Sequence, residues 1–181
     1  MLPSACSGFM ADMELEAAAA LLAPRLVAYG LGRTGCRSTA EDIAQDALMA
    51  LVRRWRTAGP PNSPEAYVFA IAKRRAGRAI ARRALTVPIE FIRGNARDEP
   101  SVEQAYASRT ELAVVWSALR ALPRRDREAL LLRLAGELTI EQIATVMHAT
   151  PAAVKMRMSR ARRRLAAVLA ERSDGQRKQT L

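Results

Sequence analysis

Apolar residues recur at three- and four-residue spacing along most of the chain, with no sustained two-residue alternation. No Asn-Gly or Asp-Gly turn joins two strand-like runs, and alanine, leucine and arginine, all good helix formers, dominate. The pattern predicts an all-α chain with helices at 12–29, 39–56, 63–83, 101–122, 124–134, 139–147 and 150–172. Pro24 is expected to end or kink the first of these near its middle. The periodicity fails over 86–100, where Pro88, Gly94, Asn95 and Pro100 stand among mixed charges. An unbroken loop of that length is uncommon inside a compact domain, so the stretch reads as a flexible linker. The expected organisation is two small helical domains, 12–85 and 109–172, joined by a linker at 86–108. The polar tail, 173–181, is expected to fray, as are the first dozen residues, where Met10 and Met13 offer alternative starts.

The strongest local signals lie in the last forty-odd residues. Thr139 can cap one helix, and Gln142, three positions on, can complete a capping box. Thr150 can cap the next, with Pro151 in its first turn, where a missing N–H costs nothing. Only His148 and Ala149 lie between them, and His148 is placed where a positive φ is needed. Ile140, Ile143, Ala144, Met147, Val154, Met158, Ala161 and Leu165 form one apolar stripe. The remaining surface of the second helix carries Lys155, Arg157, Arg160, Arg162, Arg163 and Arg164, with no acid before Glu171. A tight two-helix turn with a cationic outer face is what a helix-turn-helix needs to enter a major groove.

The formal charge of +11 and the pI near 11.0 ask for a polyanionic partner, and nucleic acid fits better than membrane. No apolar run is read as long enough to span a bilayer, and no secretory signal is read at the start, so a reducing cytoplasm is expected. Cys6 and Cys36 are too few and too far apart for a metal knuckle or a disulfide framework. His148 is the single histidine, and no nucleophile–base set, glycine-rich phosphate loop or metal-spaced cluster is present. The chain is therefore not expected to be an enzyme, nor to bind a metal or a cofactor.

The first half adds two surfaces. Along 39–56, Glu41, Asp42 and Asp46 gather near the helix start, where the macrodipole favours them, and Arg53, Arg54 and Arg56 near its end. Ile43, Ala47, Leu48, Leu51, Val52 and Trp55 read as its apolar stripe, and Asp42, Gln45 and Asp46 as a candidate partner surface. Further on, Lys73, Arg74, Arg75, Arg78, Arg82 and Arg83 fall within eleven residues without one acid. Such self-repulsion is costly unless something anionic screens it. Trp55, Tyr67 and Phe69 lie just upstream, and cations beside aromatics suit unpaired nucleic acid; the same rings can equally fill a small helical core.

Taken in order, these segments resemble the extracytoplasmic-function (ECF, group IV) sigma factors of bacterial RNA polymerase, over most of 16–169. Leu22-Ala23-Pro24-Arg25-Leu26, then Ala40 to Asp46 and Trp55, resemble the family's core-binding region, and Ala66 to Arg75 its −10 recognition region. Ala121 to Arg133, Ile140 to Ala144 and Val154 to Arg162 resemble its −35-binding helix-turn-helix. The resemblance implies a protein that binds core RNA polymerase through Asp42, Gln45 and Asp46 and directs it to promoter DNA. It implies −35 contacts from Lys155, Met156, Arg157, Ser159, Arg160, Arg163 and Arg164 and −10 contacts from Trp55, Asn62, Tyr67, Lys73, Arg74 and Arg78. Arg160 is expected at a base edge and Arg163 and Arg164 on phosphates. Arg74 and Arg78 stand where the family often has Asn and Asp, which shifts that surface toward backbone attraction. An anti-sigma factor is the implied inhibitor; no small-molecule substrate is implied. Competing readings are a helix-turn-helix regulator that is not a polymerase subunit, a nucleic-acid-modifying enzyme and a general RNA-binding module.

Overall fold

The computed structural model describes residues 5–86 and 118–179. Among them every regular element is a helix, in two compact units divided between Ala81 and Arg82. The predicted linker and all but the end of the predicted 101–122 helix lie outside the described residues.

In the front unit, α1 spans Ala5–Thr34, α2 Arg37–Ala58 and α3 Pro64–Thr86. Helix α1 is longer than expected at both ends, and Pro24 does not end it. It begins before position 12 and runs through Pro24 to Thr34. Pro24 is exposed, so the carbonyl left without its N–H partner can turn to water. Its segment Met13–Thr34 is also long and apolar enough, by length and composition, to cross a membrane, contrary to the reading that no such run exists. That apolarity has a use inside the unit: Leu15, Leu22, Leu26 and Tyr29 are buried in the core.

Gly35, at φ 71°, lets the chain reverse after α1, and Thr34 donates its hydroxyl to the Gly30 carbonyl at 2.8 Å. The two helices then come so close that a Cβ on Gly30 would stand 2.9 Å from Ala40 Cα. Helix α2 buries Ala40, Ile43, Ala44, Ala47 and Leu51. It stops at Gly59, whose φ of 73° suits glycine and whose N–H bonds the Trp55 carbonyl at 3.0 Å. Ser63 caps α3 by accepting the Ala66 N–H at 3.2 Å, with Pro64 at the first helical position. The Phe69 ring of α3 meets Tyr29 of α1 edge-on at 5.5 Å between centroids, with the Arg25 guanidinium 6.0 Å from its centre.

In the rear unit, residues 118–121 are helical, and α4 spans Arg124–Leu134, α5 Ile140–Met147 and α6 Pro151–Gln179. Leu119, Leu122, Leu130 and Ala161 form a buried cluster with Leu165 packed against it. Arg133 donates to the Leu138 carbonyl at 2.9 Å, tying the end of α4 to the turn before α5. The local signals are all realised. Thr139 Oγ1 accepts the Gln142 N–H while Gln142 Oε1 accepts the Thr139 N–H at 2.8 Å, completing the capping box. His148 is left-handed, at φ 50° and ψ 53°, and the Ala149 N–H reaches back to the Ala144 carbonyl at 2.9 Å, a Schellman-type closure. Thr150 Oγ1 then accepts the Ala153 N–H at 3.2 Å.

Candidate nucleic-acid and partner surfaces

The α6 surface follows from what the helix buries. Val154, Met158 and Ala161 are buried and Leu165 half-buried, all on one face. At about 100° per residue, Met156, Ser159 and Arg163 must then lie on the opposite face. All three are exposed, as are Lys155, Arg160, Arg162 and Arg164; Arg157 is half-buried. The predicted −35 residues thus share one helix, spread over its crest and both flanks. Arg160 and Arg164, one turn apart, lie on the flank toward α4. There Arg164 Nη1 stands 3.1 Å from Asp126 Oδ2, and Arg160 Nη2 stands 3.5 Å from Asp126 Oδ1. Asp126, in the first turn of α4, keeps only 6% of its side chain exposed. Sequence reasoning gave Asp126 no role, because its partners lie 34 and 38 positions away and no local pattern joins them.

The front unit sets Trp55, Asn62 and Tyr67 at or near the α2–α3 junction and Lys73, Arg74 and Arg78 two to four turns along α3. Trp55 and Tyr67 are half-buried and Asn62 exposed in the connecting loop. Tyr67, Arg74 and Arg78 are spaced to share one face of α3, away from the buried Val68, Phe69, Ala72 and Ala76. Phe69 is wholly buried against Tyr29, so of the three aromatics only Trp55 and Tyr67 retain exposed surface. Lys73 is half-buried.

Helix α2 carries the third surface. Asp42 and Gln45 are exposed and Asp46 is partly so. Asp46 is not a lone acid: Arg75 Nε of α3 lies 3.2 Å from its Oδ2, with both side chains 44% exposed. The apolar stripe divides. Ile43, Ala47 and Leu51 enter the core, while Leu48 and Val52 stay half-exposed and line an open groove with Gln45, Met49 and Arg53. The signal for this was the stripe's width, greater than one packed neighbour can cover. At the start of α2 the Cys36 thiol lies 3.3 Å from Ser38 Oγ; that hydrogen bond, with others from Thr39, lowers its pKa from 9.0 to about 7. Among the described residues no group of histidines, cysteines and acids could hold a metal ion.

Two family models match the chain, one in each half. The sequence profile of Sigma-70 region 2 matches residues 19–86, and that of Sigma-70, region 4, matches residues 112–165. The ECF RNA polymerase sigma factor ShbA of Streptomyces griseus is 33% identical over 140 residues, which cover 73% of this chain and 72% of ShbA. The ECF RNA polymerase sigma factor SigD of Mycobacterium tuberculosis is 30% identical over 154 residues, 78% of this chain and 70% of SigD. Among solved structures, the sigma factor RpoE of Bartonella quintana, crystallised with the anti-sigma factor NepR, has the same fold. That match has a TM-score of 0.69 at 24% identity and covers 88% of this chain and 97% of RpoE.

Proposed function

The chain belongs to the ECF RNA polymerase sigma factors, and from that membership we propose how its surfaces divide the work of promoter recognition. Such a factor associates with core RNA polymerase and brings it to promoter DNA. The observation that carries the assignment of surfaces is the exposed basic face of α6, standing on a fully capped helix-turn-helix whose opposite face is buried. Lys155, Met156, Arg157, Ser159 and Arg160 read the −35 duplex, and Arg163 and Arg164 hold its phosphates. At the front, Trp55, Asn62 and Tyr67 receive unpaired −10 bases, and Lys73, Arg74 and Arg78 neutralise the strand. Unstacking costs of order a few kcal/mol per step, and each base–aromatic stack returns about 1–3 kcal/mol. Two such stacks therefore offset about the cost of one or two unstacked steps, a contribution toward the opened strand. No covalent step is assigned to this chain: its work is differential binding, in the cytoplasm, with the polymerase doing the chemistry.

For polymerase docking we assign Asp42, Gln45 and Asp46 together with the apolar groove of Leu48, Met49 and Val52. Acids flanking exposed aliphatics suit a partner helix with basic and apolar faces. An anti-sigma factor that covers this surface would hold the protein inactive, as RpoE is bound to one in its crystal structure. The decisive experiment is transcription from a randomised-promoter library with purified core polymerase and this chain alone. Selective transcripts with an enriched −35 and −10 pair are expected; transcription that depends on another sigma factor would return the chain to the class of ordinary regulators. Asp42→Lys tests the docking face, since exposed Asp42 can be reversed without disturbing the Asp46–Arg75 pair. Core polymerase should no longer be pulled down although helicity is kept. Undiminished capture would remove α2 from the interface.

A further inference from the structure

Among the described cations of α6, Arg160 and Arg164 have a common anchor. Asp126 offers one carboxylate oxygen to each, at 3.5 and 3.1 Å, from a side chain only 6% exposed on a neighbouring helix. The two arginine side chains are themselves 46% and 52% exposed, so each meets the buried acid while keeping surface open to solvent. An arginine has five N–H donors in a rigid fork. Asp126 engages one terminal nitrogen of each and leaves the rest for another acceptor. A buried carboxylate is unfavourable without such partners. Here it also subtracts one charge from a surface whose proposed partner is a polyanion, which a purely attractive surface would not include.

We propose that Asp126 is a positioning residue for −35 recognition: it holds Arg160 and Arg164 as one oriented pair on the DNA-facing flank of α6. The inference rests on the assignment of α6 to the −35 duplex and adds what makes that contact selective. An unanchored arginine still attracts phosphates, because that attraction needs charge alone. Reading a guanine edge with two parallel hydrogen bonds needs the fork fixed in direction, and ordering a long side chain at the moment of binding costs entropy. Anchoring removes that cost in advance. Asp126 therefore trades general attraction for discrimination.

The trade gives opposite signs to two measurable quantities. Holoenzyme reconstituted with core polymerase is titrated, at several salt concentrations, onto promoters with an intact or a scrambled −35 duplex upstream of one fixed −10 element. Asp126→Asn keeps the shape and removes the charge. Binding to the scrambled duplex should tighten and its salt slope steepen by up to about one. The preference for the intact over the scrambled duplex should fall by about tenfold, the scale of one bidentate base contact. Asp126→Glu, which restores the charge, should recover part of the preference. A merely structural residue would weaken both duplexes together, and that result, or an unchanged preference, overturns the proposal. If Asp126→Asn loses helicity, Arg160→Lys decides instead. It keeps the positive charge but has no fork to span carboxylate and base, so the preference should fall while scrambled binding holds; a preserved preference overturns the role of the pair. A wild-type holoenzyme indifferent to the −35 sequence would sink the parent assignment itself, which separates the two failures.

Discussion

Asp46 and Asp126 occupy comparable places in their units. Each lies on one helix and pairs with arginine on the helix proposed to face DNA. The surroundings differ. Asp46 and Arg75 are each 44% exposed, a one-to-one pair at 3.2 Å. Asp126 is 6% exposed and meets two arginines, one on each oxygen. Water competes for the first pair, and such exposed pairs contribute about 0–1 kcal/mol. Water cannot solvate Asp126 to the same degree, so its partners are required by desolvation as well as attracted by charge. Distance alone would rank the two ties as near equals; burial separates them. The front unit is organised by packing, in the Gly30–Ala40 approach and the Tyr29–Phe69 contact, with exposed ion pairs such as Asp46–Arg75 as an addition. The rear unit places an ion-pair clamp where α4 meets the proposed binding face of α6.

The largest effect should come from emptying the clamp from the arginine side. Arg160→Met with Arg164→Met removes two half-exposed cations but strands a buried carboxylate. Removing the partners of a buried charge costs about 3–5 kcal/mol, and the rear unit should lose about 3 kcal/mol, since Asp126 retains a little exposure. Urea unfolding of the full chain, followed by helical circular dichroism, measures this. A loss below about 1 kcal/mol, the range of exposed pairs, would show that the burial contrast has no energetic meaning. Next in size is a test of the front unit's reliance on packing. Gly30→Ala places a methyl 2.9 Å from Ala40 Cα, so backbone, not a flexible side-chain tip, must move. Overpacking of this kind costs about 1–3 kcal/mol. The front unit should lose about 2 kcal/mol, and core-polymerase capture should weaken with it because the proposed docking face lies on α2. An unchanged unfolding midpoint would mean that α1 and α2 have slack at their crossing.

How far the sequence revealed this depended on how local each cause is. The α5–α6 turn was legible to the residue, because capping boxes, αL histidines and first-turn prolines act over three or four positions. The end of α1 was not. Pro24 is a helix breaker by propensity, but the rule assumes that the lost hydrogen bond has no replacement, and an exposed carbonyl has water. The α2 stripe was legible as apolar, but periodicity does not show which of its members are covered: Leu48 and Val52 have the spacing of a core face and stay half-exposed beside an open groove. Trp55 and Phe69 could not be told apart by composition. The structure separates them, because Phe69 faces Tyr29 on α1 and Trp55 lies near the end of α2. Asp126 was the furthest from reach. It sits among arginines in Arg124-Arg125-Asp126-Arg127 and looks like any solvated acid at a helix start, until α6 folds across it.

The smallest effect sharpens the contrast most. Asp46→Asn removes the charge of the front pair without changing its shape, and Arg75 can turn to water because it is already 44% exposed. Neither partner is left buried, so no desolvation penalty appears, and the chain should lose less than about 0.5 kcal/mol in urea unfolding. The same substitution bears on function differently. Arg75, released, joins Arg74 and Arg78 as a cation of α3, so binding to single-stranded DNA should tighten slightly and its salt slope should rise by under one. Asp126→Asn is predicted to shift the salt slope in the same direction, but there the loss of sequence preference accompanies it. If Asp46→Asn also erased a −10 base preference, an exposed pair would be orienting a base reader as effectively as a buried one. Burial would then not be what distinguishes the two units.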